Sequence, residues 1–219
     1  MPRKSIKFIQ NQKNKKKITC LTAYTSSIAK FIDPYVDIIL VGDSLGTAIY
    51  GMKNTQNVTL DMMRNHGKAV TSISKKAFTI IDMPYKTYTN KKNALKNALS
   101  LLKFSKCQSV KLETNFKDIE TVKHLVRNKI KVVSHIGVTP QAYKDFNKIR
   151  AVGKSLTEQK KILKLAIELE KAGSCIIVLE CIKESLSKKI SQYLKIPTIG
   201  IGASPKCDGQ VLVINDILN

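Results

Sequence analysis

The sequence predicts an α/β protein of the (β/α)8 TIM-barrel type. Three observations carry this: eight short runs rich in Ile and Val, longer amphipathic stretches between them, and charged side chains directly after consecutive runs. Strands that are almost continuously apolar must be buried on both faces, and strands separated by helices run parallel. Eight such units favour a closed barrel; an open doubly wound sheet is the competing architecture.

The elements follow in order. A basic stretch from Lys13 to Lys17, expected on the surface, precedes the first strand-like run, Lys17–Thr22. Residues 1–16 therefore read as a basic N-terminal extension of a single domain spanning residues 1–219. A helical pattern over Thr25–Phe31 leads to the second run, Asp37–Val41, and one over Leu60–Ser74 leads to the third, Ala77–Ile81. Helical periodicity over Lys92–Lys103 and Lys117–Val126 brackets the run Ser109–Leu112 and leads to Lys129–Ser134. Pro140 suits the first turn of a shorter helix. Thr157–Ala172 reads as a helix, with Thr157 as its start and Gly173 as its C-terminal stop. The runs Cys175–Leu179, Ile196–Ile201 and Gln210–Ile214 complete the set, with a helical pattern over Glu184–Leu194. Only Asp216–Asn219 follow, so the final helix is expected to be shortened or missing.

Composition narrows the class. With 219 residues and 43% hydrophobic content the chain can bury one sizeable core, and disorder is excluded. No run approaches the roughly 20 apolar residues of a membrane-spanning helix, and the first residues hold no apolar block of secretory length. The chain therefore reads as soluble, cytoplasmic and without a membrane partner. Five cysteines without a C-x-x-C pair fit reduced thiols; Cys20 and Cys175 lie in apolar runs as small core residues. The charge is strongly positive, 38 Lys+Arg against 16 Asp+Glu. Only Arg3, Arg64, Arg127 and Arg150 are arginines, there is no Trp, and the lysines are scattered without stacking aromatics between them. That pattern fits a solvated basic surface rather than a nucleic-acid site.

The strand ends carry the chemistry. Run two ends in V-G-D-S-L-G, giving Asp43 and Ser44; run three ends in I-I-D-M-P-Y, giving Asp82. Run four reads V-K-L-E, giving Lys111 and Glu113; run five ends at His135 and run six at Glu180. An Asp after a strand is often a turn former or helix cap, and one histidine is often structural, as His66 and His124 on helical stretches are expected to be. Repetition at consecutive strand ends is different, because in a parallel barrel those ends share one face, where active sites are built. Charges gathered there must pair with each other, a metal or a substrate. Asp43, Asp82 and Glu113, without a Cys or His cluster, suit a hard cation such as Mg²⁺ rather than zinc. Lys111 and Glu113, two apart on a strand, share a face, and Glu180 is left as candidate general base. This set reads as metal-assisted enolisation of an oxo acid.

The same stretches resemble the ketopantoate hydroxymethyltransferase family. The resemblance rests on I-T-C-L-T-A-Y, V-G-D-S-L-G, the T-x-x-V-T pattern at Thr55–Thr59, I-D-M-P-Y, V-K-L-E, H-I-G-V-T-P-Q, V-L-E-C, I-P-T-I-G-I-G-A and C-D-G-Q-V-L-V, in family order along nearly the whole chain. It implies a (β/α)8 barrel assembled as a homo-oligomer, commonly a decamer of two pentameric rings. It also implies transfer of a one-carbon unit from 5,10-methylenetetrahydrofolate to 3-methyl-2-oxobutanoate, giving 2-dehydropantoate and tetrahydrofolate in pantothenate and coenzyme A biosynthesis. By motif, Asp43 and Asp82 would coordinate Mg²⁺ and touch the substrate, with Glu113 as third carboxylate. Ser44 and Lys111 would bind the substrate carboxylate or oxo group, Glu180 would accept the proton, and His135 would hydrogen-bond substrate or Glu180. The chain departs from the family pattern at Thr25, Thr114–Asn115, Val152–Lys154, Ser204 and Asn215. Two other readings remain: a Mg²⁺-dependent C–C lyase or mutase barrel acting on a different oxo acid, and a basic nucleic-acid-binding protein without enzymatic activity.

Overall fold

The computed structural model describes residues 2–218. Eight parallel strands close into a barrel in sequence order, β1 (Ile18–Thr22), β2 (Ile38–Val41), β3 (Phe78–Asp82), β4 (Ser109–Glu113), β5 (Val132–Gly137), β6 (Ile176–Glu180), β7 (Thr198–Ile201) and β8 (Gly209–Leu212). β8 pairs with β1 through Ile18↔Gly209 and Cys20↔Val211, which excludes the open sheet. The helices are α1 (Ile6–Gln10), α2 (Ser26–Ile32), α3 (Leu45–Ala48), α4 (Leu60–Ile73), α5 (Lys91–Ser105), α6 (Ile119–Arg127), α7 (Leu156–Lys171), α8 (Glu184–Tyr193) and α9 (Ile214–Leu218). α9 is the last helix among the described residues. Pro140 opens only a 3₁₀ turn, Pro140–Ala142.

β2 to β7 bury both faces, for two different reasons, whereas β1 and β8 leave Thr19, Gln210 and Leu212 exposed. One set of alternate residues, including Ile38, Leu40, Phe78, Ile80, Val133, Ile176 and Val178, fills the barrel interior. The other set, including Ile39, Val41, Ile81, Val110, Leu112, Val132 and Leu179, packs under the surrounding helices. This double burial is why the runs read as continuous rather than alternating. β7 returns to β8 through residues 202–208 without a helix. The return is short because Gly209 lies level with Ile199 in the β7–β8 register. A side chain at 209 would bring its Cβ to 2.4 Å from the Ile18 carbonyl, so only glycine allows β1 and β8 to close the barrel there.

Most boundaries differ from the sequence reading by one to three residues, and two of the differences follow from a helix end. β5 begins at Val132, not Lys129, because α6 ends in a Schellman motif. Lys129 takes φ +63°, Ile130 N–H donates to the Leu125 carbonyl (3.1 Å) and Lys129 N–H to that of Val126 (2.9 Å). α7 begins at Leu156 because Ser155, not Thr157, is its cap: Ser155 Oγ accepts from Glu158 N–H (3.2 Å) and the Glu158 carboxylate accepts from Ser155 N–H (3.2 Å). Gly173 ends α7 with φ +98°, as its sequence position predicts.

The basic N-terminal stretch is more than a solvated tail. Ile9 of α1 is fully buried and packs onto the interior layer at the amino-terminal end of the barrel. Lys13, expected on the surface, reaches Asp208 at 2.7 Å with both side chains under a tenth exposed. It also donates to the Ser191 carbonyl (2.9 Å), while Asp208 accepts from Thr198 N–H (2.8 Å) and Thr198 Oγ1 (3.0 Å). A long aliphatic stem lets such a lysine bury its length once its charge finds a partner. Removing one member of a buried pair leaves the other uncompensated, at about 3–5 kcal/mol. Lys13→Met should therefore lower unfolding free energy by about 3 kcal/mol, the lower end, because Thr198 still serves Asp208. Lys16→Met, at an exposed site, should stay within about 0.5 kcal/mol; denaturant titration of both variants checks the contrast.

Candidate active site

The two-residue repeat that fills the interior continues to the carboxyl rim, where its composition changes. Above Ile80 comes Asp82, above Ser109 come Lys111 and Glu113, above Val133 comes His135, and above Val178 comes Glu180. Register brings Asp82 beside Lys111 and Glu113 beside His135 on neighbouring strands. Asp43 and Ser44 arrive from the turn after β2. All seven residues singled out in the sequence line one cavity of about 660 Å³ at this face. Asp43, Asp82, Lys111, Glu113 and His135 are buried, whereas the Glu180 side chain is 18% exposed.

The contacts form a connected row. Lys111 Nζ lies 3.1 Å from Asp82 Oδ1 and 3.4 Å from His135 Nδ1. His135 Nε2 lies 3.1 Å from Glu180 Oε2, close but poorly aligned, so that Nε2 has no well-directed partner among the described residues. Asp43 N–H donates to Asp82 Oδ2 (3.0 Å), tying the first two acids together. Tyr24 Oη and Ser44 Oγ share a hydrogen bond of 2.7 Å, which fixes Ser44 at the cavity wall.

Electrostatics follow from this crowding. Burial pushes the Asp43 carboxyl up to about 7, helped by the charge of Asp82 and opposed by Lys111 and Gln141. Glu113 is raised well above its ordinary value, first by burial and then by Asp43. Burial alone would depress Lys111, but Asp82, Asp43 and Glu113 outweigh it and hold the ammonium above its usual range. Burial and then the Lys111 charge push His135 down, against the pull of Glu180, so the imidazole is neutral at pH 7. A neutral ring facing an ammonium through Nδ1 carries its hydrogen on Nε2, the nitrogen nearest Glu180.

The donor set also bears on a cation. Among the described residues no three His, Cys, Asp or Glu side chains stand close enough together to hold a metal ion as they are placed. Lys111 and Gln141 engage the acids instead: Gln141 Nε2 donates to Asp43 Oδ2 (2.7 Å) and Gln141 N–H to Glu113 Oε2 (3.0 Å). The expected trio of Asp43, Asp82 and Glu113 thus faces one cavity but is organised as a linked pair, Asp43–Asp82, with Glu113 drawn towards Gln141. Asp82 Oδ1 is buried without a well-aligned donor among the described residues. Two adjoining carboxylates that face one cavity, with Lys111 offsetting part of their charge, fit a Mg²⁺ ion that keeps waters and is completed by substrate.

Sequence reasoning passed over Gln141, although it lies in the quoted H-I-G-V-T-P-Q stretch. It follows the strand, in a 3₁₀ turn, where no period points to it. Thr55, 2% exposed, and Asn215 also face the cavity, and neither Thr55 Oγ1 nor Asn215 Oδ1 has a partner among the described residues. His66 lies outside it, held between the Tyr24 carbonyl (2.6 Å) and Tyr50 Oη (2.9 Å).

Comparison with known proteins adds independent findings. A family profile described as ketopantoate hydroxymethyltransferase matches residues 3–219. The 3-methyl-2-oxobutanoate hydroxymethyltransferase of Pelagibacter ubique (strain HTCC1062) is 48% identical over 218 residues, covering 100% of this chain and 83% of that protein. The protein of the same name from Agrobacterium fabrum (strain C58) is 44% identical over 96% of this chain and 76% of its own length. Among solved structures, phosphonopyruvate hydrolase complexed with oxalate and Mg²⁺ superposes with a TM-score of 0.71 at 12% identity, over 97% of this chain and 82% of that one. 2,3-Dimethylmalate lyase gives 0.72 at 12% identity, over 97% of this chain and 78% of that one. At such identities the two structures speak for a shared barrel alone. The sequence matches, which extend through every strand end that builds the cavity, say more: this chain belongs to the ketopantoate hydroxymethyltransferase family.

Proposed function

We propose that this chain transfers a hydroxymethyl unit from 5,10-methylenetetrahydrofolate to 3-methyl-2-oxobutanoate, giving 2-dehydropantoate and tetrahydrofolate, with water supplying the hydroxyl oxygen. The observation that carries this reading is the placement of Lys111 and Glu180 on either side of one neutral imidazole. The ammonium lies 3.4 Å from His135 Nδ1 and the carboxylate 3.1 Å from Nε2. An oxo acid needs that combination: positive charge where its oxo oxygen gains negative charge, and a base beside its C3–H.

The buried acids keep Lys111 protonated, so it receives the substrate's carboxylate or oxo oxygen as a full cation. The Ser44 hydroxyl, held by Tyr24, supplies a second donor at the same wall. Asp43 and Asp82, with Glu113 as third carboxylate, would hold Mg²⁺. When bound, that ion places concentrated charge beside the oxo group and acidifies the neighbouring C–H. Glu180, partly exposed where Asp43, Asp82 and Glu113 are buried, takes the C3 proton, and the His135 Nε2–H steadies the carboxylate before and after transfer. Alignment of that contact is expected when substrate fills the cavity. Lys111 stabilises the enolate oxygen, an interaction strongest as charge develops. C3 then forms its bond to the one-carbon unit; both C–N bonds to the folate break, the hydroxyl of water takes the vacated place on that carbon, and the two nitrogens take up the proton lost from C3 and the one left by the water.

The bulk basic charge enters only indirectly, as a field that draws two anionic substrates towards the protein. Assembly as a homo-oligomer belongs to the same family reading and is checked by sedimentation of the purified chain.

Two outcomes test the assignment. Glu180→Gln should bind 3-methyl-2-oxobutanoate normally, but its exchange of the C3 hydrogen for deuterium in D₂O should fall by about 10²–10⁴-fold, the contribution of a positioned general base. Proton NMR follows this without folate, and unchanged exchange rejects Glu180 as the base. The second outcome concerns pH. Asp43 titrates higher in the folded protein than its ordinary value, so its contribution to stability is present at low pH and is lost as pH rises through about 7. A proton competes with a cation for the same carboxylate, and the cation restores what deprotonation costs. The rise in Tm on adding Mg²⁺ should therefore be larger near pH 8 than near pH 5, as measured by differential scanning fluorimetry. An equal rise at both would remove Asp43 from the ligand set.

A further inference from the structure

Gln141 is 4% exposed and touches the three strand exits, after β2, β3 and β4, that carry Asp43, Asp82 and Glu113. Its backbone N–H donates to Glu113 Oε2 after β4 (3.0 Å), and its side-chain Nε2 donates to Asp43 Oδ2 after β2 (2.7 Å). The second Nε2 hydrogen goes to the carbonyl of Met83, the residue after Asp82 (3.0 Å). Its own carbonyl accepts from Gln56 Nε2 (2.9 Å), and its Oε1 accepts from Tyr88 Oη (2.5 Å). Every polar atom of the residue is in use.

The amide is the only uncharged side-chain tip that offers two donors and an acceptor at once. A lysine or arginine at this place would compete with a bound cation, and a carboxylate would repel Asp43 and the Met83 carbonyl. Direction matters too. Rotated by half a turn, the amide would set Oε1 against the Asp43 carboxylate and the Met83 carbonyl, both acceptors. The Tyr88 hydroxyl, donating to Oε1, holds the productive orientation. The backbone and side chain together occupy one oxygen of Asp43 and one of Glu113, leaving the other oxygen of each to the cavity.

We propose that Gln141, oriented by Tyr88, is the positioning residue of the carboxylate cluster: it fixes the spacing of the Asp43, Asp82 and Glu113 exits and decides which oxygen of Asp43 and of Glu113 faces a bound divalent cation. This rests on the Mg²⁺ reading above. Groups that orient metal ligands without touching the metal typically change affinity by about 10–100-fold when lost. A rigid cluster also favours the small, geometrically demanding Mg²⁺ over the adaptable Ca²⁺.

The test uses the full chain and calorimetric titration with Mg²⁺ and, separately, Ca²⁺, without substrates. Gln141→Met keeps the length and the backbone bond to Glu113 while removing the amide; Tyr88→Phe removes only the hydroxyl. Gln141→Met should weaken Mg²⁺ binding by about 10–100-fold and Tyr88→Phe by about tenfold, with Ca²⁺ affinity changing less, so that the preference for Mg²⁺ shrinks. Should Gln141→Met not fold, Tyr88→Phe alone decides. Unchanged Mg²⁺ affinity in the folded variants overturns the proposal, and so does an equal loss for both ions, which is the mark of a general collapse of the site. Failure of the unmodified chain to bind either ion is a different result: it overturns the cation reading and the positioning role with it.

Discussion

The Asp82–Lys111 contact, 3.1 Å long between adjoining strands, is what allows the rest of the rim to exist. Taken from water singly, either charge would cost several kcal/mol. Together they set a local balance: Lys111 tempers the repulsion between Asp43 and Asp82, depresses His135, and so leaves a neutral imidazole beside Glu180. The pair exists because Asp82 and Lys111 are register partners and both face inward. A slip of one residue in either strand would turn the acid or the lysine under the helices, into the layer of Ile81, Val110 and Leu112.

One repeat thus serves two opposed ends. In the lower barrel the inward positions hold Ile38, Phe78, Val133 and Ile176, a largely apolar plug in which Ser109 is a buried polar member. At the upper rim ionisable groups take over, and burial, reinforced by the negative charge of neighbouring acids, raises Asp43 and Glu113. The apolar layers stabilise a scaffold on which an unfavourable charge cluster is held for chemistry. Gly137 belongs to this division: at φ +102° its missing side chain lets the Glu180 carbonyl approach to where a Cβ would stand 2.2 Å away. Without that approach β5 and β6 could not pair Gly137 with Glu180, the register that brings the Glu180 carboxylate within reach of His135, one inward position lower beside Val178.

The parts of the site that could be read from the sequence are those written in a short period. Asp82, Lys111, Glu113, His135 and Glu180 each end a strand-like run, and a parallel barrel sends such ends to one face, so their meeting in one cavity follows from topology alone. The parts that stayed hidden depend on contacts between distant segments. Gln141 works through partners on four other segments, and nothing in its neighbours announces them. Lys13 looked like one more surface lysine because its partner, Asp208, is 195 residues away. The start of β5 was misplaced for a smaller reason: Lys129 adopts a left-handed conformation usually filled by glycine, and a lysine gives no warning of it.

The packing of Ile9 against the interior layer shuts the barrel at its amino-terminal end, which makes the cavity a blind one. Traffic then obeys the rule of a dead-end street. A ligand that reaches the floor must leave by the face through which it came.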